Sequence, residues 1–333
     1  MRFAALGRTK MFLDAVVACA GAGHEPVLIG TCAAAPEYGV DESAFQRLAE
    51  RFGCPFFADA DANRPEILDL AARAQAGVAI SMNWLTLLGP DLRARFAHGV
   101  VNAHAGDLPR YRGNAVPNWA ILNGEPEVVL TLHEMSDELD AGPVLLKRSF
   151  ALGADTYIGD VYDFLASAVP EAFADVLDGL DRGSLRPTPQ PDDPALALRC
   201  HPRRPEDGRL DWEQPAEALA RLVRASAEPF AGAFTHLDGR RLTVWRARSA
   251  TPPTPVLGVP GQVVAIDRSA GAVEVLTGQG TLVIAEVEAD GMRGPASAAV
   301  SSLRTRLGFD AERELRRLAE RVAELEAQLG RST

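Results

Sequence analysis

The sequence has few of the residues that mark a disulfide framework, a zinc site or a membrane span. Its four cysteines form no C-x-x-C pair, which argues against both kinds of site and favours a reducing cytoplasm. No segment approaches the roughly 18 to 20 uninterrupted apolar residues that a membrane span needs. After the first strand-like run, Gly7 is followed by Arg8-Thr9-Lys10 rather than by G-x-G-x-x-G, so a dinucleotide cofactor is not expected.

Composition and charge describe an ordinary folded chain. Hydrophobic residues make up 47% of its 333 residues and charged residues 24%, the balance of a globular protein long enough for two unequal domains. The apolar N-terminus is interrupted by Lys10 and Asp14, so we interpret it as a strand and a helix, with a signal peptide as the alternative. The formal net charge of −11 argues mildly against a polyanionic partner such as nucleic acid.

The first half alternates β-rich runs with helical patterns, which predicts an α/β domain built on a Rossmann-like parallel sheet. The predicted strands are FAALG, EPVLIGT, AGVAISMNW, GVVNAHA, VVLTLHEMS and PVLLKRSFAL. The predicted helices are MFLDAVVACAGA, DESAFQRLAERFG, RPEILDLAARAQ, VPNWAILNGE and VYDFLASAVPEAFADVLDGL, the last with an irregularity near Pro170.

The second half predicts a smaller β domain and a helical tail. A stretch dense in proline and charge, LRPTPQPDDPALALRCHPRRPEDG, predicts a linker. Short runs separated by Gly or Asp-Gly turns then predict a small antiparallel barrel preceded by the helix PAEALARLVRAS. The predicted bounds are 1–185 for the α/β domain, 186–205 for the linker, 206–300 for the barrel-like domain and 301–333 for the helical tail.

The tail carries an apolar seam on a charged helix. Its members alternate spacings of three and four residues: Leu315, Leu318, Val322, Leu325 and Leu329. This pattern predicts one helix over about 311–329 with the seam buried. Packing on its own subunit and a coiled-coil contact in a homodimer both explain the seam, and both interpretations stay open.

Polar residues concentrate at the end of the GVVNAHA strand. Asn102 and His104 lie two apart, so both side chains point to one side of the strand, and the carboxyl ends of such strands hold ligands in open α/β sheets. An amide beside an imidazole can polarise a carbonyl and handle a proton. Each residue alone is also explained as a turn former or an interior histidine, but Asp140 ends the next polar motif, H-E-M-S-D-E-L-D-A-G-P, and could orient the histidine.

These motifs carry a family resemblance. N-A-H-A-G-D-L-P-R-Y-R-G, then P-N-W-A-I-L-N-G-E and T-L-H-E-M-S-D-E-L-D-A-G-P-V-L, resemble the signature of the folate-dependent formyltransferases. The resemblance implies that Asn102, His104 and Asp140 form the catalytic centre, without a metal, and that 10-formyltetrahydrofolate is the formyl donor. It also implies that Asn102 and a protonated His104 stabilise the oxygen that becomes negatively charged, while Asp140 holds His104 and helps to remove the amine proton.

The resemblance also indicates where the donor would bind. The pterin is expected between the loop S-M-N-W-L-T-L-L-G and the turn that carries Asp140, held largely by main-chain groups. The residues assigned to this site are Met82, Asn83, Trp84, Leu85, Leu87, Ser136 and Asp137. For Trp84 and Leu85, core packing at a strand end explains the residues equally well.

Three classes of acceptor amine are compatible with the family: an amino-sugar nucleotide, initiator methionyl-tRNA and another small amine. R-R-P-E-D-G-R-L-D-W and R-L-V-R-A-S-A-E-P-F-A-G-A-F resemble the second domain shared by the tRNA enzymes and the formyltransferase acting on UDP-4-amino-4-deoxy-L-arabinose. Acidic and basic residues are about equal in number between Cys200 and Val300, so no basic surface for tRNA is evident. The nucleotide sugar is therefore favoured.

The residues expected to contact the acceptor lie in the loop after His104. They are Arg110, Tyr111, Arg112, Gly113 and Asn114, with Trp119 as either a base contact or a core residue. One departure concerns Asp107: the family usually reads H-x-S-L-L-P, whereas this chain has H-A-G-D-L-P. Asp107 could contact the acceptor amine or cap the loop, and capping is favoured. Two other functional classes stay open, a hydrolase that releases formate and a non-catalytic scaffold that associates through the tail.

Overall fold

The computed structural model describes residues 1–34, 38–252 and 254–330. The chain divides into two compact units, Met1–Arg203 and Arg204–Thr333, which are described separately. Across the described ranges, no helix combines the length and the apolar character required to cross a membrane.

The first unit is an α/β domain around a seven-stranded sheet. Its strands are β1 (Arg2–Gly7), β2 (Glu25–Thr31), β3 (Phe56–Ala58), β4 (Val78–Met82), β5 (Val100–His104), β7 (Glu127–Glu134) and β8 (Val144–Ala151), in the order β3-β2-β1-β4-β5-β7-β8. The strands from β3 to β5 pair in parallel, whereas β7 and β8 are antiparallel. The sheet is therefore mixed, with its antiparallel part beside β5.

Helices and a small strand pair complete this unit. The helices are α1 (Lys10–Gly21), α2 (Glu42–Phe52), α3 (Pro65–Ala74), α4 (Pro90–Arg93), α5 (Val116–Asn123) and α6 (Ile158–Asp181). A two-residue strand β6 (Arg112–Gly113) pairs in parallel with β9 (Arg199–Cys200). The helix α6 runs through Pro170 as a single element.

Local sequence explains the helix ends and the core. The Thr9 hydroxyl accepts from the backbone N–H of Phe12 and caps the start of α1. Gly53 ends α2 in the left-handed conformation. Phe12 packs edge-on against Phe173 of α6, with ring centroids 6.0 Å apart, and both side chains are fully buried. The apolar β1 strand is buried on both faces, as helices on each side of a parallel sheet require.

The second unit is a separate antiparallel β domain. Its strands are β10 (Ala233–Leu237), β11 (Arg240–Ala250), β12 (Val263–Asp267), β13 (Ala272–Leu276), β14 (Thr281–Ala289) and β15 (Met292–Pro295). They pair in the order β10-β11-β14-β13-β12, with β15 also on β14. The helices of this unit are α7 (Ala216–Ser226), α8 (Ala296–Ala299) and α9 (Ala311–Gly330). The predicted fold class is confirmed, while β3 and β15 are short strands that the sequence patterns did not predict.

The tail corrects one expectation. The predicted single helix is present as α9, but its seam does not pack on its own subunit. Leu315 is 67% exposed, and Leu318, Val322 and Leu325 are between 42% and 53% exposed. The Leu329 side chain lies outside the described residues. Burial within the subunit is thus wrong for these four residues, because none of the described elements covers the seam.

Candidate active site

Asn102 and His104 stand at the carboxyl end of β5, on one face of the sheet. Both residues are less than one tenth exposed. The antiparallel register of β5 with β7 places Asn102 opposite His133 and His104 opposite Thr131. Because directly opposite residues share a face, the side chain of His133 joins the pair from the neighbouring strand.

Asp140 reaches the same point from the turn between β7 and β8. Its backbone is in the left-handed region, with φ of 52°, a conformation that aspartate tolerates better than most residues. Its Oδ2 atom accepts the backbone N–H of Gly113 at 2.8 Å and lies 3.7 Å from Nδ1 of His104. The three residues assigned to the catalytic centre are therefore brought together.

His133 is a fourth member of this cluster that the sequence reasoning did not single out. Its Nε2 atom lies 3.6 Å from Oδ1 of Asp140 and accepts from the Asn102 amide at 3.3 Å. Its Nδ1 donates to the Glu134 carbonyl oxygen at 2.9 Å. The histidine was visible in the T-L-H-E-M motif, but only the β5–β7 register shows that it lies opposite Asn102.

The hydrogen bond of His104 to the loop determines where its proton sits. Nε2 lies 2.7 Å from the carbonyl oxygen of Tyr111. A carbonyl oxygen can only accept, so Nε2 carries the proton. In the neutral ring, Nδ1 is then the lone-pair nitrogen, and it faces Asp140 across a distance longer than a hydrogen bond.

Burial and charge shift the pKa values of this pair. Burial lowers the pKa of His104 below its ordinary 6.5, outweighing the negative charge of Asp140, which acts to raise it. Burial alone would raise the pKa of Asp140, but the nearby His133 ring, the charge of His104 when its ring is protonated and the hydrogen bond from the Gly113 N–H together lower it to about 2. The free protein at neutral pH therefore pairs a neutral His104 with an ionised Asp140.

The loop expected to contact the acceptor is largely committed to internal bonds. Arg110 and the Tyr111 hydroxyl both donate to the Glu125 carboxylate, at 2.8 and 2.6 Å. Arg112 donates to the side-chain oxygen of Gln190 at 3.0 Å, and its buried Nε has no acceptor among the described residues. Asn114 is exposed.

Two further residues of this region have defined partners. The Trp119 indole donates to the His201 carbonyl oxygen at 2.9 Å. Asp107, where the family motif departs, pairs with Lys147 of β8 at 2.6 Å. Lys147 also donates to the Leu108 carbonyl oxygen. These contacts tie the loop to β8.

The loop expected to hold the pterin follows β4. Met82 is buried at the strand end, whereas Leu85 and Leu87 are 53% and 73% exposed. Asn83 has a positive φ of 55°, and its carbonyl oxygen accepts from Arg8 at 2.5 Å. The Trp84 indole donates to the Ala60 carbonyl oxygen at 3.2 Å. Backbone groups and exposed aliphatic side chains thus lie side by side here.

The turn before Asp140 carries the other two residues assigned to the donor. The Ser136 hydroxyl donates to the Glu138 carbonyl oxygen at 3.0 Å. Asp137 pairs with Arg93 of α4, and Arg93 also donates to the Met135 carbonyl oxygen at 3.2 Å. Within the described ranges, no group of His, Cys, Asp or Glu side chains has an arrangement that could hold a metal ion.

Known proteins resemble both units. Residues 2–177 match the family described as Formyl transferase, and residues 203–300 match Formyl transferase, C-terminal domain. A methionyl-tRNA formyltransferase of Citrifermentans bemidjiense is 35% identical over 248 residues, which is 74% of each chain.

Two solved structures share the fold. HypX of Aquifex aeolicus, in complex with tetrahydrofolic acid, superposes with a TM-score of 0.57 at 22% identity, covering 91% of this chain and 47% of HypX. This chain thus spans about half the length of HypX. An N-formyltransferase of Helicobacter canadensis, with folinic acid and dTDP-3-aminofucose, gives a TM-score of 0.62 at 12% identity, covering 86% of this chain and 99% of that one. With most of its length matched by the two family descriptions, the chain belongs to the formyl transferase family and is a folate-dependent formyltransferase.

Proposed function

We propose that this enzyme transfers the formyl group of 10-formyltetrahydrofolate to the amine of a nucleotide-linked amino sugar, with Asn102, His104 and Asp140 as catalytic residues. The observation that carries the choice of acceptor is charge. The chain has a formal net charge of −11, and acidic and basic residues are about equal in number from Cys200 to Val300. A tRNA contact requires many neutralised phosphates, whereas a nucleotide sugar requires one small cationic site.

The catalytic roles follow from the proton positions. The donor supplies the formyl carbon that the amine attacks. Asn102 has two amide N–H groups, of which one serves His133, so the other can donate to the formyl oxygen as negative charge develops there. Nδ1 of a neutral His104 accepts the proton that the amine loses, and the ring then returns it to the departing folate nitrogen.

Asp140 stabilises the positive His104 ring that forms during this transfer. The carboxylate lies 3.7 Å from Nδ1, and its pKa of about 2 keeps it ionised. The sequence predicted a protonated His104 at the outset. Burial lowers the His104 pKa, so we assign protonation to the moment at which the amine gives up its proton.

We assign the donor site to the β4 loop and the Asp140 turn. A pterin is a flat heterocycle that needs hydrogen bonds on its edge and apolar contact on its face. The loop offers main-chain groups beside Asn83 and Trp84 for the edge, and the exposed side chains of Leu85 and Leu87 for the face. Met82 immediately precedes the β4 loop, and Ser136 and Asp137 lie in the turn that leads to Asp140. The residues present therefore fit a folate donor.

For the acceptor, Arg112 offers the best-supported contact. A buried donor without an acceptor costs about 1–3 kcal/mol, and within the described part of the chain the Nε–H of Arg112 is such a donor. An oxygen of a bound pyrophosphate would satisfy it, and arginine recognises such oxygens through paired donors. The fold is compatible with this acceptor, because the Helicobacter canadensis relative was crystallised with dTDP-3-aminofucose.

A second acceptor is supported by one specific observation. The Citrifermentans bemidjiense relative at 35% identity is a methionyl-tRNA formyltransferase. The two candidates differ in their response to salt, because binding to a polyanion weakens steeply as the salt concentration rises.

The test is a formylation assay with 10-formyltetrahydrofolate and three acceptors: a panel of nucleotide-linked amino sugars, methionyl-tRNA and water. We expect saturable formylation of an amino sugar with modest salt dependence. Arg112→Ala should raise the KM for that acceptor at least about tenfold, while the matched Arg73→Ala on the exposed face of α3 should leave it unchanged. Efficient, salt-sensitive formylation of methionyl-tRNA would establish the second candidate, and formate release without an amine would establish a hydrolase.

A further inference from the structure

The proline-rich segment that the sequence predicts as a linker is part of the first unit. We call residues 188–200 the strap, because this part of the chain lies against the catalytic domain and belongs to the first unit. At its start, the backbone of Thr188 exchanges two hydrogen bonds with Val144 of β8, at 2.7 and 2.8 Å. The strap is therefore anchored directly beyond the turn that carries Asp140.

At its other end the strap pairs with the loop after His104. The strand β9 runs parallel to β6, and the Arg112 N–H donates to the Leu198 carbonyl oxygen at 2.8 Å. Gly113 has φ of 102°, and a Cβ there would lie 2.4 Å from the Cys200 carbonyl oxygen. Only glycine fits this approach, and the N–H of Gly113 is the group that donates to Asp140.

Between these anchors, Gln190 holds the backbone of the Asp140 turn. Its side-chain nitrogen donates to the carbonyl oxygens of Asp140 and Gly142, at 2.9 and 2.7 Å. Its side-chain oxygen accepts from Arg112 at 3.0 Å. Both N–H groups and the oxygen of the amide are thus engaged, and two of the three bonds fix one turn.

The backbone of the Asp140 turn is also constrained by its own conformation and by its packing. Asp140 is held at a positive φ, which a residue with a side chain keeps only when its surroundings impose it. A Cβ at position 142 would lie 1.8 Å from the Glu134 carbonyl oxygen, so the turn is packed tightly against the end of β7. Without the donors of Gln190, two carbonyl oxygens would lose their partners and the strained backbone would lose its restraint.

We infer that Gln190 is a positioning residue for the formyl transfer: its amide fixes the backbone of the Asp140 turn so that the carboxylate faces His104. This inference rests on the proposed role of Asp140. It assigns a function to a strap residue that touches neither His104 nor the reacting atoms. A strap that merely stabilised the fold would affect the amount of folded enzyme but not the relation between Asp140 and His104.

The titration of His104 distinguishes the two roles. The charged or titratable groups that face this ring are Asp140 and, from β7, His133. The negative charge of Asp140 raises the pKa of His104 against the effect of burial. If the Asp140 turn shifts, that support weakens and His104 titrates at lower pH. Loss of overall stability would leave the titration of the remaining folded molecules unchanged.

The experiment compares the wild type, Gln190→Met and Asp192→Ala, all as the full chain. Methionine has a similar length without hydrogen-bond donors, and Asp192 is an exposed strap residue that serves as the control. The titration of His104 is followed by NMR of its ring protons, which are assigned by comparison with the His104→Asn variant. This measurement requires no acceptor substrate. We expect Gln190→Met to shift the His104 titration to lower pH and to lower kcat about tenfold to a hundredfold, and Asp192→Ala to match the wild type.

Two results would overturn the inference: an unchanged His104 titration in Gln190→Met, or equal shifts in both strap variants. If Gln190→Met fails to fold, Gln190→Ala replaces it in the same comparison. Asp140→Asn separates this inference from the proposed function. An active Asp140→Asn enzyme would refute the catalytic assignment itself, whereas an inactive Asp140→Asn beside a normal Gln190→Met would refute only the role of the strap.

Discussion

Nδ1 of His104 lies 3.7 Å from the Asp140 carboxylate, while the opposite nitrogen of the same ring donates to a backbone carbonyl. The first nitrogen can therefore accept a proton, and the carboxylate can stabilise the charge that results. This arrangement needs a neutral ring at rest, which burial favours by lowering the His104 pKa.

Removing the ring should abolish most of the activity. We expect His104→Ala to lower kcat by about a hundredfold or more, because general acid–base groups contribute on the order of 10² to 10⁴ in rate. The melting temperature should change little. The comparison is His98→Ala, which removes an exposed histidine and should retain full turnover. Equal turnover of wild type and His104→Ala would reject the assignment.

The pH profile should report the same histidine. Since the neutral ring is the active form, kcat/KM should fall as the pH drops through the His104 pKa, which lies below 6.5. Asp140→Asn removes the negative charge that raises this pKa, so the acid limb should move to lower pH while kcat falls. The measurement is the profile of kcat/KM from about pH 4.5 to 8 for both proteins. If the acid limb of kcat/KM lies at the same pH in the wild type and in Asp140→Asn, the proposed effect of the Asp140 charge on the His104 pKa is contradicted.

His133 should matter although it faces no solvent. His133→Leu would leave the Asn102 amide without its acceptor and would remove the ring that lies 3.6 Å from Oδ1 of Asp140. We expect kcat to fall roughly tenfold or more, because misplaced catalytic groups lose about this much. The control is His24→Leu, which removes a buried histidine that precedes β2 and pairs with Asp178 of α6. If both variants lose the same activity, the effect of His133 is only structural.

The exposed seam of α9 predicts association of two chains. Leu318 and Leu325 lie on one stripe, and in a parallel pair Arg321 of one chain would meet Glu326 of the other, an attractive pairing. We expect a dimer by light scattering and a monomer for the Leu318→Lys/Leu325→Lys double variant. Glu320→Gln, on the opposite face, should stay dimeric. A monomeric wild type would contradict this prediction.

Much of the domain and its chemistry could be read from local sequence. Short buried strands alternating with helices predicted the sheet, and the predicted helix DESAFQRLAERFG ends at Gly53, which caps α2. The two-residue period of a strand was enough to put Asn102 and His104 on one face. The motif that ends at Asp140 was recognised from an aspartate followed by glycine beside a strand end and from its resemblance to the family signature.

Other features were decided only by the tertiary structure. His133 joins the site through the register of β5 with β7, and Gln190 reaches the Asp140 turn from 50 residues away. The strap had the composition of a linker, yet hydrogen bonds to β8 and β6 hold it against the domain. Periodicity and composition are local properties, whereas strand register and long-range hydrogen bonds depend on which surfaces meet when the chain folds. The α9 seam shows the same limit, because its spacing predicts an apolar stripe but cannot specify what covers it.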